Sequence, residues 1–162
     1  MNDNTANIDD FNVANLDDEI MVDKLCVEFL TAFHKNLIDN LELDPLAAGS
    51  RARGADYFLR DFVIADRKEN LFRIDPDRVR QFGGNWYIIS NMEPNMVELG
   101  EILAGINAFY EYCLALELIE PEVASEISAH CLAIGYYTER IEDFNNIAGD
   151  GFIAWNDGCS VI

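Results

Sequence analysis

Two histidines, four cysteines and seven arginines packed between residues 51 and 80 are the side chains through which this 162-residue chain could do chemistry. Glu126 and His130 stand four apart, a spacing that puts both on one helix face. Carboxylate-bridged metal centres draw Glu and His from several helices. A second pair is missing, because His34 has only Glu28 and Asp39 near it. Cys131 adjoins His130 rather than standing at zinc-ligand spacing. There is no nucleophile elbow. Gly83-Gly84 and Gly149-Asp150-Gly151 lack the pattern of a phosphate loop. The reading is of a chain with no catalytic, cofactor-binding or metal site. His130 is expected to be exposed or to cap a helix. An enzyme reading survives only if His130 and Glu126 share a polar pocket.

Cys26, Cys113, Cys131 and Cys159 form no CxxC pair. They read as reduced thiols of a cytoplasmic protein, the first three as small buried hydrophobes. The ending Cys159-Ser160-Val161-Ile162 formally fits a prenylation box. Without an upstream polybasic stretch, an acidic domain would be repelled by an anionic leaflet, so the ending reads as a terminal strand instead. The N-terminus is polar and acidic, unlike a signal peptide. No apolar run approaches the roughly 18 residues of a membrane span.

Thirty acids against eleven bases give a formal net charge of -19. That balance repels nucleic acid and anionic membranes. The charge is unevenly spread. Residues 51–80 carry Arg51, Arg53, Arg60, Arg67, Arg73, Arg78 and Arg80 together with Lys68, against six acids. Residues 93–143 carry eleven acids and only Arg140. The seven arginines are the candidate interaction residues. They face an anionic partner, face the protein's own acidic flank, or belong to a solvated surface with helix-face ion pairs.

These residues must be positioned by helices. Half of the chain is hydrophobic, enough for one real core. The pattern predicts an all-α bundle of about five helices over 19–142. A flexible acidic tail, 1–18, precedes it, although Ile8, Phe11, Val13 and Leu16 could dock that tail on the domain. A short extended segment or hairpin, 143–162, follows it. Leu25, Phe29, Phe33, Leu37 and Leu41, with Val22, Leu30 and Ile38 beside them, mark a first amphipathic helix over 19–42. Pro45 is expected to end it, and Ala47–Ser50 to form a loop before a second helix over 51–67. A third helix is expected from Asp75-Pro76, with Val79, Phe82, Trp86 and Tyr87 inward. There Gly83-Gly84 weakens or bends the helix, or lets another backbone approach. Ser90 and Glu93 have capping-box spacing before a fourth helix, whose inner face is Val97, Ile102, Ile106, Phe109, Tyr110, Cys113 and Leu116. Glu120-Pro121 opens a fifth, with Val123, Ile127, Cys131 and Ile134 inward. Asn156-Asp157-Gly158 reads as a hairpin turn.

The stretches KLCVEFLTAFHKNLI, SRARGADYFLRDFVI, RIDPDRVRQFGGNWYII and GEILAGINAFYEYCLALELIEPE resemble the N-terminal core-binding helical domain of tyrosine recombinases and phage integrases. The resemblance covers residues 24 to about 127 and rests on hydrophobic spacing. It implies a helical fold. The catalytic domain of that family has no room in 162 residues, so recombination is not implied. Its DNA-binding helices are basic, whereas here only residues 51–80 are. The function expected is a non-catalytic, protein-binding or regulatory module, with a second copy among the partners. Weak nucleic-acid binding through the arginines, and mimicry of nucleic acid by the acidic face, are the alternatives.

Overall fold

The computed structural model describes residues 6–159, and all regular structure among them is helical. A 3-10 turn, Ile8–Phe11, leads into seven helices rather than about five. They are α1 (Leu16–Asp39), α2 (Pro45–Asp56, continued by a π-helical stretch Tyr57–Asp66), and α3 (Asp77–Gln81, a π-helical turn Phe82–Trp86, then Tyr87–Ser90). After these come α4 (Met96–Ala115), α5 (Pro121–Cys131), α6 (Ile134–Asn145) and α7 (Phe152–Asp157).

Caps fix the helix starts. Asn15 Oδ1 accepts from the Asp18 amide at 2.9 Å, and the Asp18 carboxylate accepts from the Ala14 amide at 3.0 Å. The first satisfies an amide that the first turn leaves open, and the second ties the preceding residue back to that turn. Asn95 caps α4 in the same way through the Glu98 amide, at 2.9 Å. The expected Ser90–Glu93 box is therefore displaced by five residues. Pro45 opens α2 instead of merely ending α1, so residues 47–50, expected as a loop, are helical. Asp75 accepts from the Asp77 amide as α3 begins.

The core is built from α1, α2 and α4, with α3 and α5 closing it. Phe29, Phe33, Phe58, Phe62, Phe82 and Phe109 fill its centre. The two π-helical stretches meet there. Phe58 and Phe62 of one contact Phe82 and Trp86 of the other in edge-on pairs, 5.1 Å for Phe58–Phe82 and 5.4 Å for Phe62–Trp86. The wider π turn thus serves aromatic packing here.

Close approach is bought by glycine at two places. Gly54 of α2 and Gly105 of α4 lie where the two helices cross. An added methyl at Gly54 would sit 2.8 Å from the Ile102 Cα, and one at Gly105 would be 3.1 Å from the Gly54 Cα and overlap the Arg51 carbonyl. Gly83 and Gly84 admit side chains rather than another backbone: the rings of Tyr137 and Tyr136 fill the space that methyls would need.

Both ends of the described chain are packed. Phe11 is buried edge-on against Phe72 at 4.8 Å. Asn70 donates to the Ile8 carbonyl and to Asn12, at 2.8 and 2.9 Å. Residues 6–15 therefore dock on the domain; residues 1–5 of the expected tail lie outside the described residues. At the other end, the expected hairpin is corrected. Phe152–Asp157 is helical and Gly158 caps it. Arg140, itself buried, donates to the Gly84 carbonyl at 2.8 Å and to the Trp155 carbonyl at 2.7 Å, and lies over the Trp155 ring. The Trp155 indole returns a bond to the Arg140 carbonyl at 2.9 Å. That lock holds α7 against α6. Residues 160–162 of the expected terminal strand, and with them most of the prenylation box, lie outside the described residues.

Candidate interaction surface

The arginines of residues 51–80 turn to different neighbours. Arg60 of α2 grips Asp23 of α1 through both ends of its fork, at 2.8 and 3.1 Å, and reaches Asp56 at 3.2 Å. These bonds, Asp23 first, hold the guanidinium even more firmly protonated than usual. Arg73 pairs with Asp9 and Asn12 of the docked N-terminal segment. Arg78 pairs with Glu69 and Gln81. Arg67 meets Asp66 and lies over the Phe62 ring. Arg80 lies 4.2 Å from the centre of the Tyr136 ring. Four of the seven are thus neutralised by the protein's own carboxylates. Arg51, Arg53 and Arg80 have no such partner among the described residues.

The histidine and cysteine chemistry resolves in the same way. His130 Nε2 lies 3.1 Å from Asp77 of α3 and makes no ion pair with Glu126. Neither residue lines any of the clefts described below. No group of three His, Cys, Asp or Glu side chains could hold a metal among the described residues. All four cysteines are buried, and Cys26, Cys113 and Cys131 are free thiols. Burial, with Asp56 and Asp23 nearby, pushes the Cys26 thiol up to about 12. Burial and Glu111 push Cys131 up to about 12. Thiols held protonated in this way are poor nucleophiles.

Two clefts meet at Arg53. One, of about 380 Å³, lies between α2, the end of α3 and the start of α4. Three of its polar side chains are engaged: Asn91 donates to the Tyr57 hydroxyl at 3.2 Å, and Glu98 accepts from the Tyr87 hydroxyl at 2.9 Å. Burial raises both tyrosine hydroxyls above their ordinary pKa, so both stay neutral. The other cleft, of about 590 Å³, is an open groove between α1 and α2. Val27, Leu30, Thr31 and His34 form its α1 wall, and Gly49, Ala52, Arg53 and Asp56 its α2 wall. Small residues on α2 keep that wall low.

The groove continues an apolar stripe that the sequence pattern had merged with the core. On α1 the buried face is Val22, Cys26, Phe29, Leu30, Phe33 and Leu37. Ile38 and Leu41, expected inside, are exposed, Leu41 by 60%. Helical spacing puts Ile38 in register with Leu16, Ile20 and Val27, which are also exposed, while Leu41 lies just beyond the end of α1. Leu46 of α2, 81% exposed, shares the face of Gly49 and Arg53.

Compared with known proteins, the chain matches no family model, no curated protein and no solved structure. No helix among the described residues is long and apolar enough to cross a membrane.

Proposed function

We propose that the protein is a non-catalytic helical interaction module whose contact surface is the α1–α2 groove. The observation that carries the proposal is the set of apolar residues of α1, Leu16, Ile20, Val27 and Ile38, left outside the core beside a groove whose α2 wall holds Gly49 and Ala52. A groove between two helices with exposed apolar residues at helical spacing fits a helix of another protein. The fate of the arginines speaks against a nucleic-acid reading. Phosphate neutralisation needs free cations, and Arg60, Arg67, Arg73 and Arg78 are already held by carboxylates.

Site-specific photo-crosslinking tests this. A photoreactive residue at exposed Thr31, in the groove, is compared with one at exposed Glu122 on α5. In the native host, Thr31 should give a discrete protein adduct that Glu122 does not. Equal labelling at both sites, or none at Thr31, would overturn the proposal.

A further inference from the structure

We infer that the site beneath residues 6–15 is a receptor for acidic–aromatic peptide segments, which the chain's own N-terminal segment occupies in cis. The receptor is the turn after α2, residues 69–74, together with one flank of α1. It reads three features of the segment. Phe11 enters an aromatic slot, edge-on to Phe72, whose ring in turn meets Phe29 at 5.3 Å. Arg73 pairs with the Asp9 carboxylate and donates to Asn12. Asn70, buried, directs its side-chain amide at the Ile8 carbonyl and at Asn12. A ring, a charge and a main-chain carbonyl are each recognised by a separate group, which is how an extended peptide is captured.

The receptor is organised by contacts of its own. The Tyr110 hydroxyl donates to the Leu71 carbonyl at 2.8 Å and anchors the turn to α4. Within the turn, Asn70 Oδ1 accepts from the Phe72 amide at 2.9 Å, and the Arg73 amide donates to the Asn70 carbonyl at 2.9 Å. Phe29, the floor of the slot, is fixed from behind by Phe109 and Tyr112. None of these contacts involves residues 6–15. The segment, by contrast, is a single 3-10 turn joined to α1 through residues 12–15, which have no regular structure. It leaves a cleft of about 270 Å³ open against Leu25, Glu28 and Phe29 of α1. A frame built in advance, an irregular link and an incomplete fit are features of an exchangeable ligand rather than of a core element. Local opening of such a terminal segment takes less free energy than global unfolding. It would present Phe72 and Arg73 to a segment of the same chemistry in trans. The site lies on the flank of α1 that holds Leu25 and Glu28, apart from the α1–α2 groove, so neither reading depends on the other.

The test uses the full chain and a labelled synthetic peptide of residues 6–15, ANIDDFNVAN. Binding is read by anisotropy and by the amide shifts of Asn70, Phe72 and Arg73. The Phe11→Ala chain, whose own segment has lost its anchor, should bind the peptide at least tenfold more tightly than the wild type. In the wild type the tethered segment competes at an effective concentration on the order of 1 mM. The Asp9→Lys chain keeps Phe11 and loses only an exposed charge pair, so it should bind more tightly than the wild type by a smaller factor. A peptide carrying Phe11→Ala should bind the Phe11→Ala chain at least tenfold more weakly than the unaltered peptide, because a buried aromatic anchor dominates such contacts. If a urea melt shows the Phe11→Ala chain unfolded, the same peptides are compared on the Asp9→Lys chain. No binding to a folded segment variant, or binding that Phe11→Ala in the peptide leaves unchanged, would overturn the inference.

Discussion

Replacing Gly105 by alanine isolates the contact on which the fold depends most closely. In an ordinary helix interior the change would stabilise by about 1 kcal/mol, because alanine is the better helix former. Here the methyl has nowhere to go. It would overlap the Arg51 carbonyl and lie 3.0 Å from the Ala55 nitrogen, both backbone atoms of the facing helix. Overpacking costs about 1–3 kcal/mol, and a backbone wall cannot swing aside as a side chain can. The expected net loss is about 2 kcal/mol, or a fall in Tm of roughly 4–8 °C for a chain of this size. Gly100, on the same helix, has nothing within 4 Å of the added methyl. Gly100→Ala should therefore raise stability by up to about 1 kcal/mol. Gly54→Ala should also destabilise, since its methyl meets the Ile102 backbone. Combined with Gly105→Ala it should cost less than the sum, because helices already pushed apart accept the second methyl more easily. Urea melts and thermal scans of the four variants check this. A Gly105→Ala protein as stable as the wild type, or strictly additive losses, would refute the close crossing.

Three other outcomes follow from named contacts. The Cys26 and Cys131 thiols, at about 12, stay protonated in the folded chain while an unfolded chain ionises them from about 9. Above pH 9 the unfolded state binds fewer protons, so stability should fall as pH rises, by about 1.4 kcal/mol per pH unit for each thiol. Cys26→Ala should flatten that slope in urea melts between pH 9 and 10, whatever it does to stability at pH 8. Arg140→Met removes the donors that tie the Gly84 and Trp155 carbonyls. Amide exchange in α7 should speed at least tenfold, while exchange in α1 and α4 changes little. Phe11→Ala empties a buried site against Phe72; it should cost about 3 kcal/mol and expose residues 6–15 to proteolysis, scored by the rate of cleavage there.

Local signals carried most of the helix boundaries. Each proline follows an acid, and Asp44-Pro45 and Glu120-Pro121 open α2 and α5 while Asp75-Pro76 immediately precedes α3. The first of these could have been read by the same rule as the others, since proline at a first helical position ends one helix by starting the next. The C-terminal helix was not legible. Asn156-Asp157-Gly158 suits a helix end as well as a hairpin, and the choice is made by Arg140, fifteen residues from Trp155 in the chain. The arginine cluster was visible as composition, but its partners Asp9, Asp23 and Glu69 were not, because they meet it only through packing. The groove was missed because Ile38 and Leu41 continue the spacing of the buried stripe. Only the position of α2 decides which edge of that wide apolar face remains outside.

The central claim is that the α1–α2 groove is a contact surface for another protein. The most direct measurement is the crosslinking yield at Thr31 in the wild type and in a Val27→Glu/Ile38→Glu variant, both substituted positions being exposed enough to accept charge. The groove account predicts a discrete adduct in the wild type that disappears in the variant, while the variant keeps the helical content and melting temperature of the wild type. An adduct that persists undiminished in a folded variant would contradict it.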